Sequence, residues 1–446
     1  MPVRRKLAAF VVATAGLAAG LAVNAPARAD EAAPVAVAAR LSDDGDAAKL
    51  IFDLSAPVAA KARALVDPDR IVIDMPEVSF QIDPSAGRPR DRAQTIVKGF
   101  RFGLFGPGKS RVVIDLAAPA CVAKVETAPI VASSAPSRLG IELKRCEPAA
   151  FAAAAARDAQ SAAGAAPAAA ANAAAPSADR PVIVLDPGHG GVDGGAFGVG
   201  GAVEKTLVYD YAYELQRLLE AKGRFKVLMT RHGDEFVSLD DRVRIAREAG
   251  ASLLISIHAD MLGGAGAYVS GATVYTCSER ASDAEAARVA AHENAADKAA
   301  GVEDKTQAPG VADILFDLEK RETRAYAHLF SRGIVAELQG KTQLNNNPER
   351  SAGFVVLKAP DFPSVLVELG YLSNAKDVLA MKSPEWRTRT AGAMAEAVER
   401  FFPPSRASAA PAAGVDALAA SDKPSANPPI RPPAAASPAP GAAAKP

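Results

Sequence analysis

The chain has no excess charge of either sign: Lys and Arg number 51, and so do Asp and Glu. Bulk electrostatics therefore gives no pointer to nucleic acid. Cysteine is scarce, at three in 446 residues, which leaves room for one disulfide and one further thiol. Long apolar runs are scarce as well. The stretch Leu7–Val23 is rich in Ala and Gly and at the short end for spanning a bilayer. Arg4-Arg5-Lys6 precedes it and Ala27-Arg28-Ala29 follows, just before Asp30. That is the pattern of a cleaved export signal over residues 1–29, with the periplasm as destination and no stable membrane span afterwards. The paired arginines also suit a twin-arginine route. Proline and glycine are plentiful by contrast, 33 and 34. Their uneven spread, in a chain long enough for two or three domains, predicts linkers.

What is present is organised around Val182-Ile-Val-Leu-Asp-Pro-Gly-His189-Gly-Gly. A short β-branched run that stops at Asp-Pro-Gly reads as a buried strand ending in a loop. In open α/β sheets, ligand sites lie beyond the carboxyl ends of such strands. A second apolar strand, Ser252–Ile257, delivers His258 in the same way, and a third, Ser364–Leu369, carries Glu368 inside its apolar run. Glu204 opens an amphipathic helix with Leu207, Val208, Tyr211, Leu215, Leu218 and Leu219 on one face. Two strand-end histidines and a helix-start glutamate form a His₂Glu set, a ligand set for catalytic zinc that leaves a position open. Glu368 is then the candidate acid/base, since an unpaired carboxylate is costly in an apolar strand. Of the other histidines, His232 is expected at the surface near a strand end and His328 within a helix.

These motifs, LDPGHGG, Glu-Lys at a helix start, SIHAD and VELGYLSN, resemble in their order the zinc-dependent N-acetylmuramoyl-L-alanine amidases of cell-wall hydrolysis. The resemblance covers Pro181–Phe402 and implies Zn²⁺ on His189, Glu204 and His258 with Glu368 as catalytic residue. The implied substrate bond is the amide joining N-acetylmuramic acid to L-alanine of the stem peptide, cut in septal wall splitting during division. The sequence departs from the family's usual Asp-Pro-Gly-Ala with Asp193-Gly194-Gly195-Ala196, which is expected to loosen a loop without touching a ligand. Asp186 and Asp260 are candidates for orienting ligands from behind. The expected catalytic fold is α/β, a mainly parallel sheet flanked by helices, with strands at 225–230 and 273–276 and a helix from the Ser238 cap to Glu248.

Residues 34–147 read instead as a small all-β sandwich, with recurrent IFDLS, IVIDM and VVIDL segments. This part resembles the AMIN domain, which implies peptidoglycan localisation. If the strands around Cys121 and Cys146 form a hairpin turning between Ser133 and Ser134, the two thiols face each other and can join in an oxidising compartment. Cys277 is left over. Residues 148–180 are Ala/Pro-rich and predict a linker, despite a short Ala-rich helical stretch over 151–163. Residues 403–446 predict a disordered tail.

Between the SIHAD and VELGY motifs lies a helical insertion, 279–340, with helices expected over 282–300 and 311–340. Its Ala-His-Glu293-Asn294-Ala segment resembles the helix that plugs the metal site of division amidases until a LytM-domain activator displaces it. That resemblance implies a regulatory role for Glu293; a charged helix is otherwise a solvated face. Two alternatives stay open: a catalytically silent peptidoglycan-binding scaffold, and a zinc peptidase acting on the stem peptide.

Overall fold

The computed structural model describes residues 33–88, 95–129, 137–163, 180–262, 269–303 and 314–402, with backbone alone over 314–320. The expected signal segment and C-terminal tail lie outside the described residues. Nine strands form the N-terminal part: β1 (Val35–Asp43), β2 (Ala47–Leu54), β3 (Lys61–Leu65), β4 (Arg70–Pro76), β5 (Ser79–Phe80), β6 (Val97–Gly106), β7 (Lys109–Leu116), β8 (Ala120–Pro129) and β9 (Ser137–Arg145). They build two sheets, ordered β5-β1-β2-β9-β8 and β3-β4-β7-β6. Alternation puts one face of each sheet inward. Phe52 from the first sheet meets Phe100 and Phe102 from the second edge-to-face at 6.1 and 6.0 Å. The expected sandwich is present, and the VVIDL segment pairs directly with IVIDM, β7 against β4.

Two expectations for this region need correction. Cys121 and Cys146 are joined, with Cα atoms 5.8 Å apart, but they do not oppose each other in the ladder. Cys121 pairs with Lys144: the turn-side ladder, Lys124 facing Glu142, already runs one position off the expected register, and a register shift between Val122 and Lys124 adds one more; the expected turn at Ser133–Ser134 is outside the described residues. The stretch read as linker also begins with structure. Helix α1 (Pro148–Ala163) buries Phe151 and Ala155 in the sandwich core, and Asp158 accepts a hydrogen bond from the Ala64 amide at 2.7 Å. Two apolar residues one helical turn apart sufficed to dock a helix that composition alone made look loose.

The C-terminal part is a six-stranded sheet. Its strands are β10 (Val182–Pro187), β11 (Lys226–Met229), β12 (Leu253–His258), β13 (Ala272–Cys277), β14 (Leu344–Ala352) and β15 (Ser364–Glu368). The spatial order is β11-β10-β12-β15-β13-β14, parallel except where β13 runs antiparallel to β15. Helices α2 (Glu204–Ala221), α6 (Ile314–Leu338) and α8 (Pro384–Phe401) pack on one face, around Leu215, Phe330 and Met394. Helices α3 (Leu239–Glu248) and α4 (Ala284–Glu293) contribute Ala246, Val289 and Ala290 to the other. Ser238 caps α3 as expected, accepting from the Asp241 amide at 3.2 Å. The single helix expected over 282–300 is broken into α4 and the short α5 (Ala296–Ala299). At the break, the Asn294 side chain donates to the Gly353 carbonyl at 2.9 Å and accepts from the Val355 amide at 2.8 Å. Helix α7 (Ala375–Lys382) and β14 were not expected. Among the described residues no helix is long and apolar enough to cross a membrane.

Candidate metal centre

Strands β10 and β12 are adjacent and parallel, so their carboxyl ends open side by side. His189 follows β10 in a loop where its own φ is +59°, a conformation uncommon outside glycine. His258 ends β12. Gly188 is required between them: a Cβ there would stand 2.2 Å from the His258 ring. Gly195, at φ +64°, allows the loop to pass over the His189 ring and the Glu204 carboxylate, which a Cβ would meet at 2.6 and 2.7 Å.

Glu204 is the first residue of α2 and fully buried. Its carboxylate accepts from the Ala196 and Ala259 amides, each at 2.8 Å. It lies 3.2 Å from His189 Nε2 and 3.2 Å from His258 Nδ1. Glu293, the last residue of α4, completes the group at 3.3 Å from His189 Nε2 and 2.9 Å from His258 Nδ1. The ligand atoms of these four buried residues all lie within 4.8 Å of one another. His189 Nε2 and Glu293 Oε2 nonetheless have no hydrogen-bond partner among the described residues. Two imidazoles and two carboxylates gathered this closely, with only His258 Nδ1 and Glu204 sharing a hydrogen bond at 3.2 Å, fit a divalent cation.

The electrostatics agree. Burial disfavours charge on the histidines, but the carboxylates reverse it: Asp193, Glu204 and Glu293 raise His189 well above its ordinary value, and Glu293 with Glu204 carries His258 to about 10. Burial would raise Glu204 and Glu293, and the two imidazoles instead hold both below the usual carboxylate range.

Glu368 does not join the four. It sits beside His258 in the register of β15 against β12, its Oε2 accepting from the Asp260 amide at 2.9 Å and its Oε1 buried without a hydrogen-bond partner among the described residues. Burial first, then the charges of Asp260, Glu293 and Glu204, push its carboxyl well above the ordinary range.

The loop expected to touch no ligand does touch one. Asp193 Oδ2 accepts from His189 Nδ1 at 2.8 Å, which fixes the tautomer and aims Nε2 at the centre. A carboxylate four residues past a loop histidine was the available signal. Asp186 serves differently from expectation. It pairs with Arg242 at 2.7 Å and accepts from Thr230 and Ser256 at 2.6 and 2.7 Å, while Arg242 also donates to the His189 carbonyl at 2.8 Å. Asp260 positions Glu368 through its backbone, and its carboxylate meets His292 Nδ1 at 3.0 Å. Sequence reasoning missed Arg231, which is buried and donates to the Pro187, Gly188 and Lys205 carbonyls. His232 and His328 are not among the metal-site groups of the described residues.

A mixed sheet with a buried His/Glu centre at the carboxyl ends of its middle strands defines an α/β protein whose site could hold a cation. Residues 183–400 match the family described as N-acetylmuramoyl-L-alanine amidase, and residues 38–143 match the AMIN domain. The chain is 37% identical over 227 residues to N-acetylmuramoyl-L-alanine amidase AmiA of Escherichia coli K12, covering 51% of this chain and 78% of that one. It is 36% identical to AmiC of Escherichia coli O6:H1 over 50% of this chain and 54% of the relative. Among solved structures, AmiC2 of Nostoc punctiforme is similar at 24% identity and a TM-score of 0.35, over 50% of this chain and 96% of that one. The chain belongs to the N-acetylmuramoyl-L-alanine amidase family, with an AMIN domain ahead of the catalytic one.

Proposed function

We propose that this protein hydrolyses the amide between N-acetylmuramic acid and L-alanine of the peptidoglycan stem, in the periplasm, with zinc on His189, Glu204 and His258. The convergence of those three residues beside a buried, half-satisfied Glu368 carries the reading. Zinc held there would supply Lewis acidity for the scissile carbonyl and bring a water's pKa toward neutrality. The chain's own residues supply the rest. Asp193 orients the His189 ring, and the Ala196 and Ala259 amides fix Glu204. Glu368, with its raised pKa, takes the water's proton and returns it to the leaving amine. The AMIN domain holds the enzyme on the wall.

Glu293 stands where substrate and water are needed, and acts as a plug at rest. Displacement of α4 by a LytM-domain partner would expose the centre, a shift between two populations. Digestion of purified sacculi tests the reading, using the full chain and its Glu293→Ala variant, each with zinc and with chelator. Zinc-dependent release of intact stem peptides, seen by mass spectrometry, is expected. Shortened stems would indicate a peptidase, and no product from either protein a binding scaffold.

A further inference from the structure

The AMIN domain does more than precede the catalytic one: its four-stranded sheet faces the plug. Four arginines project from that face, Arg63 on β3, Arg70 on β4, Arg101 on β6 and Arg111 on β7. Each reaches the backbone just after Glu293. Arg70 Nη1 donates to the Lys298 carbonyl, and Arg101 Nε donates to that of Ala299 at 3.2 Å. Arg111 Nη1 donates to the carbonyls of Ala300 and Gly301 at 3.0 and 3.1 Å, and Arg63 Nη2 to that of Gly301 at 3.1 Å. These carbonyls lie at and just past the C-terminal end of α5, where backbone oxygens face the sheet.

The guanidinium groups are held ready from behind. Asp74 accepts from Arg111 Nε and Nη2 at 2.6 and 3.1 Å, Asp115 from Arg101 Nη2 at 2.9 Å, and the Pro68 carbonyl from Arg70 Nε at 3.0 Å. Arg70 and Arg111 are 3% and 4% exposed with the segment seated on them, so these hydrogen bonds are made largely out of water. The same sheet is fastened to a part of the catalytic domain that is not the insertion. Phe105 stacks on Phe236 with centroids 5.6 Å apart, Arg111 lies over the Phe105 ring, and the Leu104 carbonyl accepts from the Val192 amide at 3.0 Å. The sheet thus bridges the frame that carries His189 and the segment that carries Glu293.

We propose that the AMIN domain is an internal clamp, whose arginine face holds residues 298–301 and thereby keeps Glu293 in the metal centre. This rests on reading Glu293 as a plug. The clamp predicts that weakening the arginine face releases the centre without touching it.

The test uses the full chain and the double variant Arg70→Ala/Arg101→Ala, without any partner protein. Sacculus hydrolysis should rise about tenfold, the factor expected when a state held closed by contacts of this kind loses two of them. Glu293→Ala should raise hydrolysis by itself, and adding the arginine changes to it should give little more, because the clamp then holds nothing that blocks the site. Hydrogen exchange should quicken at amides 290–301 in the arginine variant while those of β12 and β15 keep their protection. A rise with Glu293→Ala but none with the arginine variant would overturn the clamp and leave the plug standing. No rise with Glu293→Ala would overturn the plug, and unchanged exchange at 290–301 in the arginine variant would then overturn the clamp independently. Should the double alanine variant fail to fold, Arg70→Lys/Arg101→Lys, which keeps charge and loses the planar fork, reads the same quantities.

Discussion

Glu204 and Glu293 meet the same two imidazoles, yet they are held in different ways. Glu204 begins a helix packed on the sheet, and two backbone amides at 2.8 Å bind its carboxylate. Glu293 ends α4, and its Oε2 has close imidazole neighbours but no hydrogen bond among the described residues. The first carboxylate is fixed by the frame whatever occupies the centre. The second depends on contacts made by the rest of its segment. Distance alone does not separate a permanent ligand from a removable one; the anchoring behind each does.

That contrast can be broken most directly by exchanging the two acids for alanine. Glu204→Ala should lose bound zinc and fall to the activity of chelated enzyme, the largest effect, checked by metal analysis and sacculus digestion. If Glu293→Ala loses metal equally, the contrast fails. Glu368→Gln should lower turnover by about 10²–10⁴-fold, the usual worth of a general base, with metal content unchanged. Glu293→Ala should move activity the other way, upward by about tenfold or more, since a centre freed of its plug no longer competes with one. Asp193→Asn should weaken zinc affinity by about 10–100-fold, seen by competition with a chromophoric chelator. The smallest effect concerns pH. Glu368 must be ionised to accept a proton, and its pKa is raised. Hydrolysis should therefore fall on the acid side at a pH above the ordinary carboxylate value.

The sequence made the centre legible because its parts sit at the ends of elements whose periodicity is plain. His189 and His258 close apolar strands, Glu204 opens an amphipathic helix, and Glu368 interrupts an apolar run. Position in the element foretold position in the sheet. The sandwich was equally open to reading, as alternation needs no long-range knowledge. What stayed hidden depended on contacts between distant segments. Nothing local shows that Phe151 enters the core of a domain whose end the change in composition marks at residue 147. A register shift near Val122 cannot be read from the spacing of Cys121 and Cys146, and the break after Glu293 is set by Gly353 and Val355, some 60 residues on. The arginines were individually unremarkable residues of β-strands. Only the fold lines four of them up along one backbone.

Because those four arginines grip peptide oxygens, the identity of the side chains at Ala299 and Ala300 is irrelevant to them. Other L-residues at the half-buried Ala299 would leave that grip unchanged, proline apart, whereas Ala300, buried against Val72 and Val113, has no room for a larger side chain; an amide-to-ester replacement that weakens the gripped carbonyl would be felt. The trace such a latch leaves in the segment it holds is one of size alone: Gly301, at φ +71°, would bring a Cβ within 2.7 Å of Val72.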